Sequence, residues 1–500
     1  MFSFQSSLEL LVLAGFAAVV LVLAFRFGRR NESALPPGPV GHWLLGNEIP
    51  KPYAWRKFTE YTKQYGPVFS LRLGRQILVV IGTYQAAVDV MEKQGALLAD
   101  RPRSIAAGEI LSGGKRTLLV QQGERLKRLR KALHGHLQPK VAVNYEPLQA
   151  KAALIMIMDI LRDPQHFQDH AKKYAASVIM TLTYGKTSPT SYSDPEVQMV
   201  NECTRRLGTV VKPGAWAVDS WPILRYVPGY LSVLNRHHRE ELALFRGQLD
   251  NVRNQMTAGT AQSSFAKELI ERQVEYGLSD DEAAYLCGSL FGAGSDTTAA
   301  AIAVVIMAAA SFPELQTNAQ KQLDMVVGAD RTPTFNDREE LPYIDAFVLE
   351  SFRWRPISSG GFAHRATEDI IYNGYLIPKG ATVIGNHWSI ARDPDVFPDP
   401  EAFRPERWLT PEGTIREDLR FYNFGFGRRV CPGQHLANRS LYINTANLLW
   451  AFKIMPDPTR PIDTLAFTDT ANSHPLPFQV KFESRNPNVF KTVKAALEQM

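Results

Sequence analysis

Phe424-Gly425-Phe426-Gly427-Arg428-Arg429-Val430-Cys431-Pro432-Gly433 is the stretch on which the fold and the chemistry turn. Pro432 suits the first turn of a helix, so the preceding Cys431 sulfur is expected at a helix N-terminus. There, amide N–H groups and the helix dipole favour a thiolate. Pro432 has no N–H, so the donors fall to residues such as Gly433 and Gln434. Gly425 and Gly427 allow tight backbone bends beside a flat ligand. Phe424 is placed to shield the sulfur from water, and Arg429 to meet an acidic group on that ligand.

Three other fates for such a cysteine stand beside this one. A lone cysteine near a glycine-rich turn is most often a buried structural residue. A zinc site needs further ligands, and His435 is the only cysteine or histidine neighbour. A nucleophile served by a distant histidine remains open, although no residue pattern points to one.

Upstream, Ser279 and Glu282 form a capping-box pattern that opens a long helix running without proline to Pro313. From Ala299 to Ala310 it is apolar nearly all round, which predicts a path through the interior. Gly292-Ala293-Gly294-Ser295-Asp296-Thr297-Thr298 interrupts the pattern and predicts a local distortion. Small residues also serve close helix packing, but a buried Asp296 carboxylate is costly without a partner or a purpose. Val68–Ile81 reads as a hairpin punctuated at Gly74, and 371–384 as strand with turns at Asn373-Gly374 and Pro378-Lys379-Gly380. A last short strand is expected near 478–482. The fold class is therefore mainly α with small β-sheets gathered to one side.

The 500 residues are 45% hydrophobic and 21% charged, an ordinary globular balance. No linker or repeat divides the chain after residue 50. The reading is an N-terminal membrane anchor over 1–30, a proline-rich linker over 31–45 and one catalytic domain over 46–500. Leu10–Phe25 is uncharged and mostly apolar, close to the roughly 20 residues that span a bilayer. Arg26, Arg29 and Arg30 follow it, which favours an uncleaved anchor with a cytosolic C-terminal side over a cleaved signal peptide. Asn31-Glu32-Ser33 matches a glycosylation acceptor but falls on the cytosolic side of that topology. A net charge of +6 is compatible with an acidic protein partner or an anionic membrane. Nucleic acid is discounted, because neither a zinc-finger spacing nor an aromatic-basic motif occurs. Three cysteines in so long a chain fit a reducing compartment.

Phe424, Gly427, Arg429, Cys431 and Gly433 match every defined position of the cytochrome P450 haem-binding signature, and the chain resembles that family almost throughout. Glu350-Ser351-Phe352-Arg353 resembles the family's Glu-x-x-Arg helix motif. Phe403-Arg404-Pro405-Glu406-Arg407-Trp408 resembles its Pro-Glu-Arg segment. The resemblance implies a buried triad of Glu350, Arg353 and Arg407. It also implies a haem b (iron protoporphyrin IX) whose iron takes Cys431 as axial ligand. Arg429, His364 and Arg130 are expected at the haem propionates. Leu126 departs from the family, standing where tryptophan is common, and one propionate hydrogen bond is expected to be lost with it.

Ala293–Thr298 resembles the family's oxygen-activation segment, which implies that Thr297 and Asp296 guide protons. The implied reaction inserts one oxygen atom from O₂ into a small apolar or aromatic substrate. Electrons are expected from NADPH through a cytochrome P450 reductase, at the endoplasmic reticulum membrane. Substrate contacts are expected at 105–119, Phe291, Ala293, 358–362 and 470–473. Val211–Trp216 and Tyr226–Gly229 are similar to fungal microsomal members, which implies secondary metabolism. A family member that isomerises or dehydrates without O₂ is the first alternative, and the intact Asp296-Thr297 pair argues against it. A non-enzymatic membrane haem sensor is the second.

Overall fold

The computed structural model describes residues 35–188 and 190–500. The expected anchor over 1–30 lies outside the described residues. The polypeptide is mainly helical, and eight of its helices build the site. They are α1 (Glu124–Leu137), α2 (Glu146–Arg162), α3 (Phe167–Tyr184), α4 (Pro195–Val210), α5 (Ser232–Thr257), α6 (Asp280–Ser311), α7 (Pro342–Trp354) and α8 (Gln434–Ala451).

Helix α6 is the axis of the molecule. The Ser279 hydroxyl accepts from the Glu282 amide while the Glu282 carboxylate accepts from the Ser279 amide, closing the capping box read from sequence. Every residue from Ala299 to Ala310 is buried, packed among α3, α7 and α8. The helix is apolar enough to cross a membrane by composition, yet most of it is enclosed by protein. The expected interruption at 292–298 is not a break: α-helix continues through it. Hydroxyls there turn back onto their own helix, Thr297 Oγ1 donating to the Ala293 carbonyl at 2.9 Å and Ser295 Oγ to that of Phe291 at 3.0 Å.

The strands are β1 (Val68–Leu73), β2 (Gln76–Ile81), β3 (His364–Arg365), β4 (Ile370–Tyr372), β5 (Tyr375–Ile377), β6 (Thr382–Gly385), β7 (Phe452–Pro456) and β8 (Val480–Ser484). The β1–β2 hairpin extends into a four-stranded sheet in the order β1-β2-β6-β3, with β2 and β6 parallel. Both faces of β2 are covered. Leu78 and Val80 pack beside Phe58 and Phe69, whereas Val79 and Ile81 join the main core. The β4–β5 turn has Asn373 and Gly374 both at positive φ, the mirror-image turn that Asn-Gly favours.

The proline-rich segment does not stand free as a spacer where it is described. The Pro36 and Pro37 carbonyls accept from the Ser70 hydroxyl and amide at 2.6 and 2.8 Å, which fastens the segment to the edge of β1. A Cβ at Gly38 would fall 1.9 Å from the Ser70 carbonyl oxygen, so only glycine allows this approach.

Candidate active site

The Cys431 loop joins a short 3₁₀ turn at Gly427–Arg429 to helix α8. Gly425 and Gly427 take φ of +85° and +51°, conformations that other residues reach only with strain. Helix α8 begins at Gln434 with Gly433 as its cap, so Pro432 lies in the preceding turn and not in the first helical turn. The Gln434 amide is used by the Cys431 carbonyl at 3.4 Å, so of the two expected donors only the Gly433 amide is left to act on the sulfur. Burial pushes the Cys431 thiol above its ordinary value, and the Gly433 amide and the Arg130 guanidinium draw it back. The Phe424 ring packs edge-on against Phe352 of α7, with centroids 5.5 Å apart. A cavity of about 580 Å³ opens along this loop, lined by Ala99, Leu126, Arg130, Arg429, Cys431 and His435. Leu126 gives it a buried aliphatic wall with no side-chain donor.

Around this loop the structure gathers positive charge without matching negative charge. Arg429 donates to the Ala99 and Val120 carbonyls at 2.5 and 2.8 Å. Arg130 reaches the Val430 carbonyl at 3.2 Å, and Arg101 the Ala363 carbonyl at 2.5 Å. Burial, and then repulsion from Arg429 and Arg130, pulls Arg101 down to about 9, and burial first among its causes brings Arg429 to about 10. Among the described residues none of these three arginines has a carboxylate within 4.0 Å. The nearest acid, Asp100, is already engaged by Arg365 at 3.2 Å and by the Gln122 amide. Buried charge of one sign needs a partner. The His364 Nδ1 lies 2.7 Å from the Leu98 carbonyl, and burial beside Arg101 lowers the ring to about 3. A carbonyl accepts only, so Nδ1 carries the proton of the neutral ring and Nε2 is bare. A carboxylate at Nε2 therefore requires the ring to take up a second proton.

Behind the loop, Glu350 and Arg353 share one face of α7 and are fully buried. Both Glu350 oxygens are gripped by Arg353, at 2.6 and 2.8 Å, and Arg407 adds a contact at 3.1 Å. The Trp408 indole N–H and the Arg404 amide complete the carboxylate's partners, at 2.9 and 2.8 Å. Arg353 also donates to the carbonyls of Ala391, Pro400 and Ala402, tying the segment that leads to the Cys431 loop.

On α6, Ala293 is exposed and Gly294, Asp296 and Thr297 are half-buried, although the helix around them is enclosed. Together they make one short accessible face. Phe291, expected at the substrate, is not part of this face: its ring is fully buried and packs against Tyr184 of α3. The expected loop at 105–119 contains a short π-helical turn, Ile105–Leu111, whose first amides at Ile105 and Ala106 donate to the Asp219 carboxylate at 2.6 and 3.0 Å. Arg101, Asp219 and His474 escaped the sequence reading. None lies in a recognisable spacing, and each acts across a large separation in the chain.

A half-buried thiol under a glycine-shaped loop, a surplus of buried and half-buried cations and a short accessible face in an enclosed helix suit an acidic, flat, metal-bearing ligand. The comparison with known proteins agrees: the family model for cytochrome P450 matches residues 36–482. The chain belongs to the cytochrome P450 family. Over 95% of its length it is 57% identical to cytochrome P450 monooxygenase 88 of Postia placenta, covering 96% of that protein. Cytochrome P450 monooxygenase 113 of the same fungus is also 57% identical, over 96% of this chain and 97% of the relative. The cytochrome P450 monooxygenase claR of Ampulloclitocybe clavipes is 35% identical over 93% of the chain and 89% of its own length. This P450 is accordingly an oxidoreductase with monooxygenase activity and a haem-thiolate cofactor, which requires O₂, a redox partner and a small-molecule substrate.

Proposed function

We propose that this P450 hydroxylates an apolar or aromatic small molecule in fungal secondary metabolism. The overall reaction is R–H + O₂ + NADPH + H⁺ → R–OH + H₂O + NADP⁺, with electrons delivered by NADPH-cytochrome P450 reductase. The proposal includes residues 1–30 as an anchor in the endoplasmic reticulum membrane, 31–45 as a linker and 46–500 as a cytosolic catalytic domain. The observation that carries the chemistry is the Cys431 thiol, met by the Gly433 amide beside Arg130.

In this reading the cofactor is haem b, held by Cys431 with Phe424, Gly427 and Gly433 shaping its seat. Arg429, Arg130 and His364 meet its acidic groups. When bound, haem supplies the electron transfer and O₂ chemistry that no side chain can perform. The chain supplies the rest. The Gly433 N–H and Arg130 stabilise the sulfur as an anion. Glu350, Arg353 and Arg407 hold the loop that carries the sulfur. Thr297 orients a proton donor on the inner face of α6, and Asp296 passes protons inward from solvent. Such a relay serves O₂ cleavage and has no use in isomerisation or dehydration, which favours the oxygenase over those alternatives.

The test is co-expression of the full chain with a fungal reductase in membranes. The reduced, CO-bound protein should show a thiolate-type absorption band, and NADPH-dependent hydroxylation should appear among screened apolar aromatics. A thiolate-type band with NADPH consumption absent under every substrate tried would favour the haem sensor.

A further inference from the structure

We infer that His474, together with Asn472, is a positioning residue for proton delivery, docking the Asp296 carboxylate on the turn that faces α6. This rests on the proton-relay reading of Asp296 and adds to it the device that holds the carboxylate in place. Asp296 sits in the middle of a core helix and makes no hydrogen bond to Thr297, whose hydroxyl is spent on Ala293. Its partners come from the other side. His474 Nε2 lies 3.2 Å from Asp296 Oδ1 and 3.2 Å from Oδ2, and Asn472 Nδ2 lies 3.4 Å from Oδ2.

The orientation of both partners follows from their other bonds. The Ser358 hydroxyl donates to Asn472 Oδ1 at 3.0 Å, which leaves the amide's N–H₂ to face the carboxylate. An ionised carboxylate only accepts, so the His474 ring presents Nε2–H to it. The turn itself is stiff. The Thr468 amide donates to the His474 carbonyl at 2.9 Å, and the His474 amide to Thr468 Oγ1 at 3.0 Å. The Ser473 amide donates to the Ile357 carbonyl at 2.6 Å, and Lys212 at the end of α4 reaches Asp469 at 2.7 Å.

A carboxylate that hands on protons must be present in one rotamer, with one side towards water. Here the His474 side chain is 32% exposed and that of Asp296 17%, so neither partner of the dock is sealed from water. Without the dock, Asp296 has no other side-chain partner among the described residues, and its rotamer is free.

The test uses the full-length, haem-loaded protein with reductase and NADPH in air, with no organic substrate added. O₂ then leaves either as H₂O₂, after two electrons and two protons, or as two H₂O, after four of each. The quantity read is H₂O₂ formed per O₂ consumed. Asp296→Asn should raise it; an unchanged ratio, or a parent ratio already at its ceiling, removes the relay reading itself. With that established, His474→Leu should lower water formation by about tenfold, less than the roughly 100-fold or more that losing an acid–base group costs. His474→Gln, which keeps an N–H donor, should recover most of it. Asn472→Ala should show a smaller loss in the same direction, and it carries the test if His474→Leu does not hold haem.

A second readout is independent of turnover. Thermal unfolding of Asp296→Asn, His474→Leu and the double variant should be non-additive, as for residues in direct contact. Additive melting shifts, or a His474→Leu ratio equal to the parent where Asp296→Asn is raised, would overturn the inference.

Discussion

Arg353 holds both oxygens of Glu350, Nη2 at 2.6 Å and Nε at 2.8 Å, with neither side chain exposed to solvent. A planar fork meeting a planar carboxylate gives the strongest geometry available to an ion pair. Six groups outside the pair complete it: Arg404, Arg407 and Trp408 donate to Glu350, and the Ala391, Pro400 and Ala402 carbonyls accept from Arg353. Glu350→Gln leaves the Arg353 charge buried without its partner, and breaking a buried pair in this way costs about 3–5 kcal/mol. We expect Glu350→Gln to lower the melting temperature and the haem content per chain together. The haem-to-protein absorbance ratio of purified protein checks this. A ratio equal to the parent would show that the triad is not what holds the Cys431 loop.

Cys431→Ala removes the only sulfur in the cavity beside Arg130. The expected outcome is loss of monooxygenase activity and of the thiolate-type band of the reduced, CO-bound protein. Cys203→Ala and Cys287→Ala should leave that band in place. Both thiols are buried, and desolvation first among its causes holds Cys203 up at about 12, so neither is poised to act as a thiolate.

Thr297→Ala removes one hydroxyl, which in this structure bonds only its own helix. Haem content and substrate-induced spectral shifts should stay near the parent. Product per NADPH should fall and H₂O₂ should rise. General acid–base terms are typically about 10²–10⁴-fold, and water entering the gap should keep the loss towards or below the lower end. An unchanged product-to-NADPH ratio would leave Thr297 as packing alone.

Two histidines make stability depend on pH. Desolvation lowers His387 to about 4, and its Nδ1 is buried without a partner. Desolvation beside Arg101 lowers His364 to about 3. With the folded value depressed, the unfolded chain binds more protons between that value and about 6.5, so stability rises with pH across this window. Each such group therefore costs up to about 1.4 kcal/mol per pH unit as acidity increases below about 6.5. We expect the parent to melt lower at pH 5 than at pH 7, and His387→Phe to show a smaller difference between the two. His364 should depart from this once an acidic group is bound at Nε2, because that contact favours the protonated ring. Equal pH dependence in parent and His387→Phe would place the acid sensitivity elsewhere.

What the chain determined by itself was whatever depends on neighbours in sequence. The Ser279–Glu282 capping box, the Asn373-Gly374 turn, the positive-φ glycines of the Cys431 loop and the i, i+3 pairing of Glu350 with Arg353 are all local, and each was legible as a spacing. The mainly helical class followed from the same periodicities. Tertiary structure decided what must be brought together from afar. Arg429 and the Ala99 carbonyl are 330 residues apart, and Asp296 and His474 are 178 apart. No spacing encodes those contacts. They exist because the packing of α6, the turn at 468–474 and the loop before α8 sets side chains from separate segments against one another. The same packing buried Phe291 against Tyr184 and left Ala293 exposed on α6.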